Sequence, residues 1–331
     1  MKKWLGYIPK TLGAILALLL AVILFFTVLA NLRETKTRQE AAPSTGRFVQ
    51  AGDVELFIQE MGPADRQAQV ILFIHGTAAW SGLWRETMTP LAEAGYRCIA
   101  IDIPPFGYSE RPATPSYGNA DQAKRIVALM DALEIERAIL LGHSFGGGAT
   151  MEAALMIPDR IDALILADVG GLNLNLPPAP KSQRPSAIEM FLGAPFVRNP
   201  VLAATATNPL FTKTLISTMV LDPADATEEN IKILQEPLVL LDATNTLGDW
   251  LKEVLSPQEI SLTTDPANYQ TLSMPALIIW GDSDKVIPLK EGEYLQSLLP
   301  DAELVLMKGV NHIPHLEDQE KFIEIVLGFL N

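Results

Sequence analysis

Ala138-Ile-Leu-Leu-Gly142-His143-Ser144-Phe145-Gly146-Gly147 runs a short apolar strand into a serine flanked by glycines. The segment beyond it, to Met156, has the composition of a buried helix that Pro158 stops. A G-x-S-x-G pattern set between a strand and a helix implies a sharp turn, which strains the serine backbone and holds the hydroxyl out of the sheet. Its two glycines leave room for the strand and helix to pass closely. Ser144 then lies at a helix N-terminus, where free backbone N–H groups stabilise negative charge.

A serine hydroxyl is a weak nucleophile unless a base takes its proton and a carboxylate orients that base. The chain has four histidines. His75 follows the apolar run Val70-Ile-Leu-Phe-Ile, His143 is beside the serine and is expected to point away from it, and His312 and His315 lie in Gly309-Val-Asn-His-Ile-Pro-His. A loop at a strand's C-terminal end suits His312 as the base, with His315 expected to make a surface or cap contact at the start of the final helix. Asp284 in Gly281-Asp-Ser-Asp is the expected orienting acid, and Asp282 a turn residue. Asp168, after the strand Ala163 to Ala167, is the backup acid, expected to lie one strand farther from His312 and to bond loop amides instead.

Working outward, the apolar runs alternate with helical segments, which argues for an α/β protein. Phe48 to Glu60 reads as a hairpin with Ala51-Gly52-Asp53 at its turn. Val70 to Ile74, Arg97 to Asp102, Ala138 to Leu141, Ala163 to Ala167, Ala276 to Trp280 and Glu303 to Met307 read as further strands, eight in all. Helices are expected near Trp84 to Ala94, over Asp121 to Leu133, and over Lys321 to Leu330. Between Gly171 and Pro275 the rhythm fails and 12 of the 24 prolines collect. This stretch, 171–275, is the expected cap insertion of short helices. Its Leu172, Leu174, Leu176, Met190, Phe191, Leu192, Phe196, Leu210 and Phe211 suit both packing on the sheet and lining an acyl pocket. The hydrolytic core is then 47–170 and 276–331.

Thr11 to Leu32 carries no charge, and about 20 helical residues cross a ~30 Å hydrocarbon layer. The segment is therefore expected to be an uncleaved single-pass anchor. A signal peptide is the competing reading, with Val28 and Ala30 before the cut, although its apolar region is usually shorter. Residues 1–10 form a basic tail, and 33–46, with no apolar period, read as a tether. The charge pattern weakly favours a cytoplasmic N-terminus and an extracytoplasmic catalytic domain. Formal charge is −14, but residues 1–40 contribute +4, so the remainder is −18. Such a body repels phosphate backbones, which makes nucleic acid an unsuitable partner. The single cysteine, Cys98, rules out an intramolecular disulfide framework and a cysteine-based zinc site.

These motifs together resemble the alpha/beta-hydrolase fold family of esterases, lipases and haloperoxidase-like enzymes, over about Phe48 to Asn331. The resemblance implies a mostly parallel eight-stranded sheet with helices on both faces and a helical cap. It makes His75-Gly76-Thr77-Ala78 the oxyanion loop, with the amides of Thr77 and Phe145 as oxyanion donors, and implies no metal or organic cofactor. Asp102-Ile-Pro-Pro-Phe-Gly-Tyr-Ser109 is similar to a family signature, with Pro105 where Gly is usual. Ser144 stands where epoxide hydrolases and haloalkane dehalogenases have Asp, and Ala78 where they tend to have Pro. Carbon–carbon bond hydrolases commonly have Asn before the serine, against His143 here. The expected activity is cleavage of a small-molecule carboxylic ester, thioester or lactone with an apolar acyl group. Carbon–carbon bond hydrolysis, perhydrolase or haloperoxidase-like chemistry, and a non-catalytic membrane-tethered binding module are the alternatives.

Overall fold

The computed structural model describes residues 8–65, 67–172, 174, 187–256 and 260–331; of residues 8–12 and 189 it describes the backbone alone. Leu176 and, of the basic tail, residues 1–7 lie outside the described residues.

Eight strands form one sheet: β1 (Gly46–Ala51), β2 (Val54–Met61), β3 (Val70–Ile74), β4 (Arg97–Ile101), β5 (Ala138–His143), β6 (Ile161–Ala167), β7 (Ala276–Gly281) and β8 (Ala302–Met307). Their order is β1-β2-β4-β3-β5-β6-β7-β8. Only β2 runs against the others, pairing antiparallel with β1 and β4. The remaining neighbours are parallel. Both faces of β3, β5, β6 and β7 are covered, which is why these strands read as continuous apolar runs with no polar alternation.

The helices, in chain order, are α1 (Ile8–Arg33), α2 (Arg38–Ala41), α3 (Arg85–Glu93), α4 (Asn119–Ala132), α5 (Gly146–Met156), α6 (Ala187–Leu192), α7 (Pro195–Ala204), α8 (Pro209–Ser217), α9 (Glu228–Gln235), α10 (Ala243–Val254), α11 (Pro266–Tyr269), α12 (Leu289–Leu298), α13 (Pro314–Glu317) and α14 (Gln319–Leu330). Alternate strand residues divide between the two layers. Leu72, Leu140, Leu166 and Ile278 pack with α4, α5 and α12. Phe73, Leu141, Ile165 and Ile279 meet Trp84, Met88 and Leu91 on one side and Phe322 and Val326 of α14 on the other. Helix α4 buries Ala123, Ile126 and Met130 at helical spacing, and it also buries Arg125, whose guanidinium bonds both oxygens of Asp53 in the β1–β2 turn at 2.9 and 2.7 Å.

Two segments differ from their sequence reading. The tail of 171–275 is not cap: Tyr269, Leu272 and Met274 sit in the main core, and Glu152 of α5 accepts from the amides of Leu262 and Thr263 at 3.0 and 2.9 Å. A short apolar segment without strand or helix periodicity carries no local mark of the layer it joins. Residues 33–46, read as a tether, are docked. Arg33 Nε donates to the Leu238 carbonyl at 2.9 Å, the Thr35 amide to Val239 at 3.0 Å, and Lys36 bridges to Leu240. Helix α2 opens with a capping box of Thr37 and Glu40, and Arg38 pairs with Glu55.

Candidate active site

Ser144 directly follows β5 with φ +50°, a left-handed conformation that costs a non-glycine residue about 1–3 kcal/mol and persists only where the surroundings impose it. They do so here by contact. A methyl group on Gly142 would overlap the Thr150 side chain, and one on Gly146 the carbonyl of His75, so both flanking positions must be bare for α5 to lie on the sheet.

His312 Nε2 lies 2.9 Å from Ser144 Oγ, and His312 Nδ1 lies 2.9 Å from Asp284 Oδ2. With a carboxylate at Nδ1, that nitrogen carries the proton and Nε2 is free to accept from the serine hydroxyl, a tautomer assigned from the partners. Burial raises the Asp284 carboxyl, but the His312 hydrogen bond and the amides of Ile287 and Val286 outweigh it and hold the group below the usual carboxylate range. The imidazole and carboxylate side chains are fully enclosed. The His312 amide donates to the Met219 carbonyl at 3.0 Å, tying the histidine loop to the cap.

Asp168 is nearer than its strand position suggests. Its carboxylate, Asp284 and His312 each offer an atom within 4.8 Å of the others. The reason is local: β6 adjoins β7, and a left-handed φ of +42° at Asp168 turns its side chain toward the β7 end, where Oδ1 accepts from the Gly281 amide at 2.9 Å. Its other oxygen, Oδ2, is buried without a partner. Burial, with the Asp284 charge beside it, pushes this acid well above the carboxylate range. Distance therefore does not separate the two acids; the hydrogen bond does, and it runs from His312 to Asp284. The protonated Nδ1 in that bond has no lone pair for a metal ion.

The remaining histidines are structural neighbours of the site. His75 Nε2 accepts from the Ile103 amide at 3.0 Å, so Nδ1 carries the proton and donates to the Gly76 carbonyl at 2.8 Å. Burial lowers His75 to about 4, keeping it neutral, and its two bonds clamp the following loop. In that loop Ala78 has φ +57°, which a proline ring cannot adopt. Among the described residues the amides of Thr77 and Phe145 have no protein acceptor. His143 Nε2 donates to the His312 carbonyl at 2.8 Å and, lowered by burial to about 3, is neutral too. His315 is not at the surface: it is buried, stacked on Trp84 at 4.2 Å and edge-on to His143 at 4.7 Å. Helix α13 is one turn long, so no amphipathic period in the sequence shows which way His315 faces.

A pocket of about 820 Å³, open mouth included, meets Ser144, Gly76 and Thr77 on one side and Leu215, Ile216 and Met219 of the cap on the other. A second lobe shares Ala78, Ala79, Ala206, Leu234 and Leu238 with it and extends to Phe106 and Arg111. Met190, Phe196 and Leu210, expected among the pocket's apolar residues, face outward instead.

Residues 69–194 and 238–319 match the model of the alpha/beta hydrolase fold family. The chain belongs to that family. Among its relatives, the 2-hydroxy-6-oxononadienedioate/2-hydroxy-6-oxononatrienedioate hydrolase of Paraburkholderia phymatum is 28% identical over 309 residues, covering 90% of this chain and 99% of the relative. The meta-cleavage product hydrolase of Pseudomonas fluorescens superposes with a TM-score of 0.67 at 23% identity, over 87% of this chain and 98% of its own. A membrane phospholipase A gives 0.67 at 24% identity, over 100% of this chain and 98% of its own. Both structural likenesses are likenesses of fold.

Proposed function

We propose that the protein is a serine hydrolase that cleaves a carboxylic ester, or a thioester or lactone, in two acyl-transfer steps. The observation that carries this reading is the unbroken relay from Ser144 Oγ through His312 to Asp284 at 2.9 Å per link, opening onto an apolar pocket. His312 takes the Ser144 proton as Oγ attacks the ester carbonyl, and the Thr77 and Phe145 amides hold the oxyanion. His312 then returns the proton to the leaving alcohol, and water repeats the sequence on the acyl-enzyme. His75 acts as a positioning residue through the Gly76 carbonyl. His75→Ala is expected to lower kcat about 10²-fold, the scale of a lost oxyanion donor, with KM little changed. A raised KM with normal kcat would remove that role.

Labelling by a fluorophosphonate, blocked by prior incubation with a long-chain ester, tests the reading. A folded protein that neither labels nor turns over any ester from two to sixteen carbons would mean a binding module. Carbon–carbon bond hydrolysis is the second reading. It is favoured by the identity to the dioate hydrolase and by Arg111, a cation among the residues that line the second lobe. Turnover of a vinylogous 1,5-diketone acid in preference to esters would select it.

Helix α1 is proposed as an uncleaved anchor with the hydrolytic domain extracytoplasmic. Its 21 residues from Gly13 to Arg33 have mean hydropathy 2.9 and only 6% burial in the most apolar window. The full chain is expected to stay in the pellet through carbonate washing at pH 11; a soluble product beginning at Asn31 would indicate a signal peptide instead.

A further inference from the structure

The anchor helix does not leave the domain cleanly. In α1 the half-buried or buried described residues are Ile23, Phe26, Thr27 and Ala30, spaced i, i+3, i+4, i+7, followed by Arg33 and Glu34. This stripe packs against α7 of the cap. At its end Glu34 accepts from the Thr244 hydroxyl at 2.5 Å, and Thr244 contacts Thr207, just past α7, at 2.7 Å. The two helices therefore run side by side, with the C-terminal end of α7 beside the end of α1. Ile23 to Glu34 spans about 18 Å and α7 about 15 Å at 1.5 Å per residue. Thr11 to Leu32 covers about 33 Å, close to the whole hydrocarbon thickness. If α1 spans, α7 sits at the depth of the adjoining leaflet.

The side chains turned outward there fit that depth. Phe196 in α7 is 82% exposed and Leu210, opening α8, is 78% exposed, with Ile188, Met190 and Phe211 also open. Charge follows the same line. From Val169 to Val220 the sequence has one acid, Glu189, in a chain with 39. Four bases, Lys181, Arg184, Arg198 and Lys213, fall in that stretch. Of these, Arg198 is buried and paired with Asp249 and Lys213 is exposed on α8, so neither α7 nor α8 carries an acid toward anionic headgroups.

We infer that the outer face of α6, α7 and α8 is a bilayer contact surface, seated in the leaflet that α1 enters. The inference rests on the anchor reading and extends it to substrate delivery. Thr212, Leu215 and Ile216 of α8 line the pocket above Ser144 while Leu210 and Phe211 of the same helix face out, so one helix separates membrane-dissolved acyl esters from the nucleophile. Such esters are the substrate class this surface favours over water-soluble ones.

The test uses the full chain in vesicles of zwitterionic and anionic phospholipid, spin-labelled at Phe196→Cys, Leu210→Cys or, as control, Asp301→Cys at the far end of the sheet; Cys98 is buried and unreactive to the label. Labels at 196 and 210 are expected to collide with oxygen in preference to a nickel chelate, and the control to show the reverse. The double variant Phe196→Glu/Leu210→Glu is expected to lose about tenfold in rate on a long-chain ester held in the vesicles, through weakened apolar burial, while its rate on a soluble short-chain ester stays within twofold. Water-like accessibility at all three sites in protein that survives carbonate washing would overturn the surface and leave the anchor standing. Spin–spin broadening between copies at 196 would overturn it in favour of a second copy of the chain. Release of wild type by the wash would remove anchor and surface together.

Discussion

Ser144→Ala is expected to abolish ester hydrolysis, with kcat falling on the order of 10⁶-fold, because the covalent path disappears with the hydroxyl and His312 is left with nothing to deprotonate. Stability should move by no more than about 1 kcal/mol, since the hydroxyl makes one hydrogen bond and its loss opens no apolar cavity. Alanine inherits the same strained φ, so the turn is neither relieved nor worsened. The measurements are ester turnover, fluorophosphonate labelling and thermal unfolding of the same preparation. Normal turnover by the variant would remove Ser144 from the mechanism. Lost turnover with lost folding would be resolved by Ser144→Cys, which keeps a nucleophile at that position and should label with a thiol-directed probe.

Asp284→Asn and Asp168→Asn separate two acids that share one corner of the site. At Asp284, asparagine replaces the carboxylate that holds Nδ1–H and stabilises the imidazolium, and the cost expected from other triads is about 10⁴ in kcat. At Asp168 the change is nearly isosteric and suits a position that disfavours charge: burial and the adjacent Asp284 push its carboxyl well above the usual range, whereas the His312 bond helps hold Asp284 below it. An amide there keeps an oxygen for the Gly281 N–H and presents a donor where the acid presents its hydroxyl, so turnover should stay within about tenfold of wild type. Assay of both variants on one short-chain ester decides between them. A larger loss at Asp168→Asn would place the working carboxylate after β6.

Much of this molecule follows from local sequence alone. A strand buried on both faces must be apolar at every position, so β3 to β7 stand out as runs, and their spacing leaves room for the crossover helices. The glycines around Ser144 are demanded by contacts within one strand-turn-helix unit, which is why the motif is readable without any distant part of the chain. The charge-free stretch from Thr11 to Leu32 is likewise a property of consecutive residues.

What only the tertiary structure decided involves side chains whose partners lie far away in sequence. His143 and His315 show no helical or strand period of their own, and their burial depends on Trp84 and His312, brought together by the sheet order. By strand order Asp168 lies one strand beyond Asp284, yet a single left-handed φ swings its carboxyl into the same corner. The segment after Leu32 reads as a tether because its polar groups lack a local period, and it is docked because those groups are satisfied by cap carbonyls and hydroxyls some two hundred residues away. Hydrogen bonds of that range leave no trace in local periodicity, so composition and pattern identify the elements, and packing alone settles which of them meet.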